Sequence, residues 1–313
     1  MKLNESKGTP DAVSKVITDN YSNIISSIGS NESLVFDISD VKLTCNIQIN
    51  FITHADISYY GNINFLNCIK SNFTNCIINL KIPKNPDNRQ VVKTLAHELT
   101  HLYELYQIKD LDKTKWKRQQ FLHDISDENV DKSIKYFRDM FYASLPQEIN
   151  ARVSSLYRYL LIDKEKGSIF LEDMLKKTNE WKNYENLMNF SYQELSNDLI
   201  KKYTNNKKEL YDIFNDFNKG MGIKTVINTD NELLTYFHNT NRYYKKVAKD
   251  YKKRMLRIID KIIKENILIE YTTCDHIIVE YVEYIKRDIE KDRDHKIDLL
   301  LNYINYMDFF DKI

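Results

Sequence analysis

Thr94-Leu95-Ala96-His97-Glu98-Leu99-Thr100-His101-Leu102-Tyr103-Glu104 is the stretch from which the rest of the chain can be ordered. Two histidines four residues apart on a helix project from one face, close enough for both imidazoles to bind one Zn²⁺. Glu98 stands beside them, where a carboxylate can polarise a water on the metal and shuttle its proton. Leu95, Ala96, Leu99, Thr100 and Leu102 carry no charge, as a helix buried beside a metal requires. A chance match to His-Glu-x-x-His in a chain of this composition has a probability of roughly 0.01. The pattern reads as a site.

A catalytic zinc needs a third protein ligand and an open position. Three residues are candidates: Glu104, His123 and Glu148. Glu104 lies one turn beyond His101 and would have to bend back to the metal, so supporting a histidine through its other N–H suits it better. His123 falls in a polar stretch over 110–126. Glu148 opens a new helix, followed by apolar Val153, Leu156, Tyr157, Leu160 and Leu161, and Ala151 would let that helix approach closely.

Upstream of the histidines the pattern is mixed. Residues 11–28 read as one helix. Leu43, Cys45, Ile47, Ile49 and Phe51 alternate with Thr44, Asn46, Gln48 and Asn50, the period of a half-buried strand. Leu34–Ile38, Ile57–Leu66 and Cys76–Ile82 are further strand candidates, predicting a sheet of three to four strands ended by Pro83 and Pro86. Asn85-Pro86 or Asp87 can cap the histidine helix. Downstream, 128–143, 145–163, 168–190, 192–218, 230–270 and 277–310 carry helical periodicity, with Ser144-x-x-Gln147 fitting a capping box. The expected fold class is α+β: a domain over 1–165 with a small sheet and the histidine helix, then an all-α domain over 166–313.

Composition agrees. The 313 residues include only six Gly and four Pro, roughly 3% of the chain, where about 12% is usual. That favours long helices over a β-sandwich. A hydrophobic content of 42% with 29% charged residues excludes a disordered chain or a disulfide scaffold. A net charge of +1 excludes a globally basic nucleic-acid binder, though not a local basic patch. No signal peptide or membrane span is visible. Cys45, Cys68, Cys76 and Cys274 form no C-x-x-C pair, so reduced thiols in a cytoplasmic setting are expected.

His97-Glu98-x-x-His101 followed by Glu148-x-x-Ala151 resembles the gluzincin metallopeptidases. The resemblance covers residues 34–165. It implies a zincin-like fold, Zn²⁺ as cofactor and Glu148 as third ligand. It also implies a peptide or protein substrate, with Glu98 as general base and proton donor to the leaving amine. By the same analogy Cys76–Ile82 would be the substrate-facing edge strand. His123, Tyr142, Tyr157 and Arg158 are candidates to stabilise the oxyanion. Some members carry Asp directly after the Ala; this chain has Arg152 there. Small gluzincins also occur in bacteriophage genomes, which would suit the AT-rich coding bias and a virion-associated location. The competing reading is a structural or assembly protein of a virion that keeps the zinc site without proteolysis.

Between Arg242 and Arg257 stand eight basic residues and one acid, Asp250. Arg242, Lys245, Lys246, Lys249, Lys252, Lys253 and Arg257 fall in one arc of about 140° on a helix. The plain reading is a solvated face paired with Glu280, Glu283, Asp288 or Glu290. The functional reading is a docking surface for nucleic acid, an anionic membrane or an acidic protein.

Overall fold

The computed structural model describes residues 9–28, 33–39, 44–54, 58–108 and 130–271. The architecture is mixed α+β. A sheet is built from β1 (Leu34–Ser39), β2 (Thr44–His54), β3 (Tyr60–Ile63) and β4 (Asn75–Pro83). Its order is β1-β2-β4-β3, with β1 antiparallel to β2, β2 parallel to β4, and β3 antiparallel to β4. Alternation sets its faces. Cys45, Ile47, Ile49 and Phe51 of β2 and Cys76, Ile78, Leu80 and Ile82 of β4 are buried. On the opposite face Asn50 donates to Asn79 at 2.8 Å and Gln48 to Asn50 at 2.9 Å.

The helices are α1 (Thr9–Asp19), α2 (Tyr21–Ser27), α3 (Phe65–Lys70), α4 (Asn88–Ile108), α5 (Lys132–Ala143), α6 (Pro146–Leu161), α7 (Gly167–Lys176), α8 (Asn179–Asn189), α9 (Tyr192–Lys202), α10 (Lys207–Met221) and α11 (Asp230–Tyr271). Several expectations are corrected. The segment 11–28 is two helices broken at Asn20, whose amide side chain turns back to Val16 O at 2.9 Å. Segments 168–190 and 192–218 each split in two as well. Ile57–Leu66 is no single strand: β3 ends at Ile63, and Asn64 Oδ1 accepts from Asn67 N at 3.1 Å as α3 begins. Cys76–Ile82 is not an edge, because β4 lies between β2 and β3; the edges are β1 and β3. Segments 110–126 and 277–310 lie outside the described residues.

By their internal contacts the residues group into two compact units, each drawn from separate stretches of chain. The first holds the sheet, α1 to α4, Met140–Met188 and Lys246–Ile262. In it α4 meets β3 and β4 on one side and packs along α6 on the other. Those two helices run antiparallel. Near the start of α4, Arg89 donates to Tyr159 O at the far end of α6 (2.9 and 3.1 Å) and pairs with Asp163. Lys93 pairs with Glu180 of α8 at 2.8 Å, the two side chains being 12% and 7% exposed. The buried thiols of Cys68 on α3 and Cys76 on β4 hydrogen-bond each other, and Cys76 also bonds Cys45 on β2. The bond to Cys76 and burial raise Cys68, while the bond to Cys45 and burial lift Cys76 to about 12 against the opposing effect of Cys68.

The second unit includes 189–245 and the part of α5 up to Asp139. Its core is aromatic, with Phe137 lying 5.2–5.5 Å from Phe214, Phe217 and Phe237. Thr229 and Glu232 cap α11 reciprocally: Glu232 N donates to Thr229 Oγ1, and Glu232 Oε2 accepts from Asn228 N and Thr229 N. No helix among the described residues is long and apolar enough to cross a membrane.

Candidate metal centre

Helix α4 is started by Asp87, whose Oδ1 accepts from Arg89 N at 2.9 Å. Leu95, Ala96, Leu99 and Leu102 are fully buried, which fixes the helix rotation and sends His97 and His101 toward Glu148 at the start of α6. That start differs from the expected capping box. Leu145 is the cap residue and makes no side-chain bond, while Ser144 Oγ donates back to Phe141 O at 2.7 Å. The hydroxyl thus closes α5 instead of opening α6. Pro146 occupies the first turn of α6, and Glu148 joins it there, where the positive end of the helix dipole favours a carboxylate.

His97, His101 and Glu148 come together so that they could hold a metal ion. The two Nε2 atoms are 3.1 Å apart. Glu148 Oε1 is 3.3 Å from His101 Nε2, and Oε2 is 3.6 Å from His97 Nε2. Glu148 is 1% exposed, His101 7% and His97 22%, so the group opens to solvent at His97.

The electrostatics are those of a buried cluster. Burial alone would push His101 down, but the Glu148 carboxylate outweighs it and lifts the imidazole to about 9. Glu148 is held well below the usual carboxylate range: His101 and His97 overcome its own desolvation. Desolvation raises Glu98, the two histidines opposing and Glu148 adding to the effect. Glu148 Oε1 has no hydrogen-bond partner among the described residues, an orphaned buried acceptor 3.3 Å from the His101 imidazole nitrogen. Such an atom calls for a cation or a proton.

Glu98 meets the sheet. A Cβ on Gly61 of β3 would collide with the Glu98 side chain, so only glycine lets the strand run this close. Asn64 N donates to Ile77 O, and antiparallel alternation then turns Tyr60 and Asn62 toward β4. The backbone groups of Gly61 and Ile63 point away from β4, along the edge beside Glu98.

The other predicted residues separate. Tyr142 is brought in: its phenol hydrogen-bonds Glu148, and burial with that carboxylate raises it strongly. Glu104 accepts from Asn150 Nδ2 at 2.7 Å. Tyr157 is buried with its ring centroid 4.8 Å from Lys261 Nζ. Arg158 reaches α1, donating to Thr18 at 3.1 Å. His123 lies outside the described residues. Of the basic arc, Arg242, Lys245, Lys246, Lys249 and Lys253 are exposed, while Lys252 and Arg257 are half-buried. Lys252 sits 5.7 and 5.6 Å from the ring centroids of Trp181 and Tyr184. Glu280, Glu283, Asp288 and Glu290 lie outside the described residues.

Two contributors escaped the sequence reading. Gly61 had a signal, since a lone glycine inside a strand pattern marks close backbone approach. Asn150 had none. No family model, no curated protein and no solved structure matches this chain.

Proposed function

We propose that the chain is a zinc-dependent peptide hydrolase of zincin-like fold, with Zn²⁺ held by His97, His101 and Glu148. One observation carries this reading. A tetrahedral zinc with bonds of about 2.0–2.1 Å has ligand atoms about 3.3–3.4 Å apart. Here the two Nε2 atoms are 3.1 Å apart, Glu148 Oε1 is 3.3 Å from His101 Nε2, and the other carboxylate oxygen, Oε2, is 3.6 Å from His97 Nε2. Two imidazoles and one carboxylate are also the donor set of catalytic zinc, which leaves a position for water.

Bound there, the ion would supply Lewis acidity, lowering the pKa of a water and polarising a carbonyl. The chain's residues supply the rest. Glu98, on the same helix turn as both histidines, takes the proton from the attacking water and delivers it to the leaving amine. Its raised proton affinity suits both halves of that task. Tyr142 steadies Glu148 through its phenol hydrogen bond. The backbone groups of Gly61 and Ile63 are positioned to pair with an extended peptide, the strand-addition mode that presents a scissile bond beside Glu98.

Glu98→Gln tests the reading. The variant should bind zinc like the parent and cleave nothing. A zinc-loaded parent that hydrolyses no member of a peptide library, indistinguishable from the variant, would sink the enzyme reading and leave a structural metal site.

A further inference from the structure

Of the eight basic residues between Arg242 and Arg257, Arg254 is the one off the basic arc. It turns inward: its Nη2 donates to Asn150 Oδ1 at 2.6 Å. The same Asn150 donates from Nδ2 to Glu104 Oε1 at 2.7 Å. Glu104 stands one turn beyond His101 on α4, and Asn150 two residues beyond Glu148 on α6. We propose that Arg254, Asn150 and Glu104 form a positioning chain that fixes α4 one turn beyond His101 and α6 two residues beyond Glu148, which makes the long helix α11 a working part of the metal centre. This rests on the metal-centre reading above.

The chain has one polarity. A guanidinium can only donate, so Asn150 must present its carbonyl oxygen to Arg254 and its NH₂ to Glu104. The amide orientation is therefore dictated from α11, and with it the carboxylate oxygen that Glu104 turns toward Asn150. Asn150 is thus bonded on both sides, to α11 and to α4, and hydrogen-bonded partners just outside a ligand set hold its geometry. All three residues belong to the unit that contains the sheet.

The test uses the full chain, with Zn²⁺ and Co²⁺ as probes. Arg254→Met removes the donor, Arg254→Lys restores one, and Asn150→Asp keeps the acceptor for Arg254 but sets a like charge against Glu104. Arg254→Met and Asn150→Asp should each weaken Zn²⁺ binding about 10- to 100-fold in competition with a chromophoric chelator. Both should also alter the visible ligand-field bands of the Co²⁺ protein, and Arg254→Lys should return both readouts toward the parent. Metal-free unfolding midpoints identify a variant that fails to fold; if Arg254→Met does, Asn150→Asp decides. Parent-like Zn²⁺ affinity and Co²⁺ spectra in folded Arg254→Met or Asn150→Asp would overturn the positioning chain alone. A parent that takes up neither ion would overturn the metal centre and this inference together.

Discussion

His97 Nε2 and His101 Nε2 face each other at 3.1 Å. At most one proton can lie between two imidazole nitrogens at that distance, so in the metal-free protein one ring donates and the other accepts. The Glu148 carboxylate beside them stabilises that proton on His101. A cation at the same point would be met by two lone pairs and a carboxylate oxygen at once. Metal and proton are thus rivals for one place.

From that rivalry follows a pH dependence of metal uptake. His101 is raised to about 9, so near neutrality it holds a proton that the metal must displace. Apparent Zn²⁺ affinity should fall about tenfold for each pH unit below about 9, with about one proton released per ion bound. Isothermal titration in buffers of different ionisation enthalpy counts that proton.

Without metal, stability should run the other way. The contribution of His101 is complete below its ordinary 6.5 and is lost as pH rises through about 9. Glu104, raised from 4.5 to about 7, adds a cost as it ionises over that interval. Glu148, lowered, opposes them only in acid, where its contribution is lost as pH falls through its depressed value. The unfolding midpoint of the chelator-treated protein should therefore decline from about pH 5 to about pH 9. A flat profile would contradict the buried ion pair.

Glu148→Ala removes the third donor and the charge that lifts His101. Its loss of Zn²⁺ affinity should exceed the about 10- to 100-fold typical of changes outside the ligand sphere. The proton release should shrink as well, because His101 is no longer held protonated. Chelator competition and calorimetry read the two effects separately.

Gly61→Val places a branched side chain where Glu98 lies. Peptide hydrolysis should drop at least about 100-fold, the scale of losing a general base. Zn²⁺ affinity should stay near that of the parent. Overpacking should also lower stability by about 1–3 kcal/mol, measured by denaturant unfolding.

Half-buried Lys93 and buried Glu180 pair at 2.8 Å between α4 and α8. Lys93→Met alone strands a buried carboxylate and should cost about 3–5 kcal/mol in urea unfolding. Lys93→Met combined with Glu180→Leu should recover most of that loss, since an apolar pair of similar volume carries no desolvation penalty.

Legibility in the sequence followed the range of the interactions. Helix α4, its uncharged inner face and the spacing of His97, Glu98 and His101 are local, so the periodicity alone located them. Glu148 could be picked out because a proline and an apolar stripe mark its helix start. The β3–α3 junction was misread because Ile57–Leu66 is apolar enough for a strand, and one Asn64 side-chain bond decides where the helix begins. The edge position of β3 depends on strand order, which alternation within a strand does not encode. Arg254 was hidden by its neighbours: among eight cations on one helix, the single inward one is distinguished only by its partner Asn150, 104 positions away.

The three buried thiols of the sheet and the adjoining α3 give the unfolding of this layer a built-in clock. Alkylating reagents attack thiolates, and Cys45, Cys68 and Cys76 are buried, with Cys68 and Cys76 holding their protons tightly. Labelling at these positions must wait for the strands and α3 to part, so its rate measures how often this layer opens. Mass spectrometry of the digested protein separates them from Cys274. Repeating the measurement with and without Zn²⁺ would show how far occupancy of a site on α4 and α6 restrains strands that carry none of its ligands.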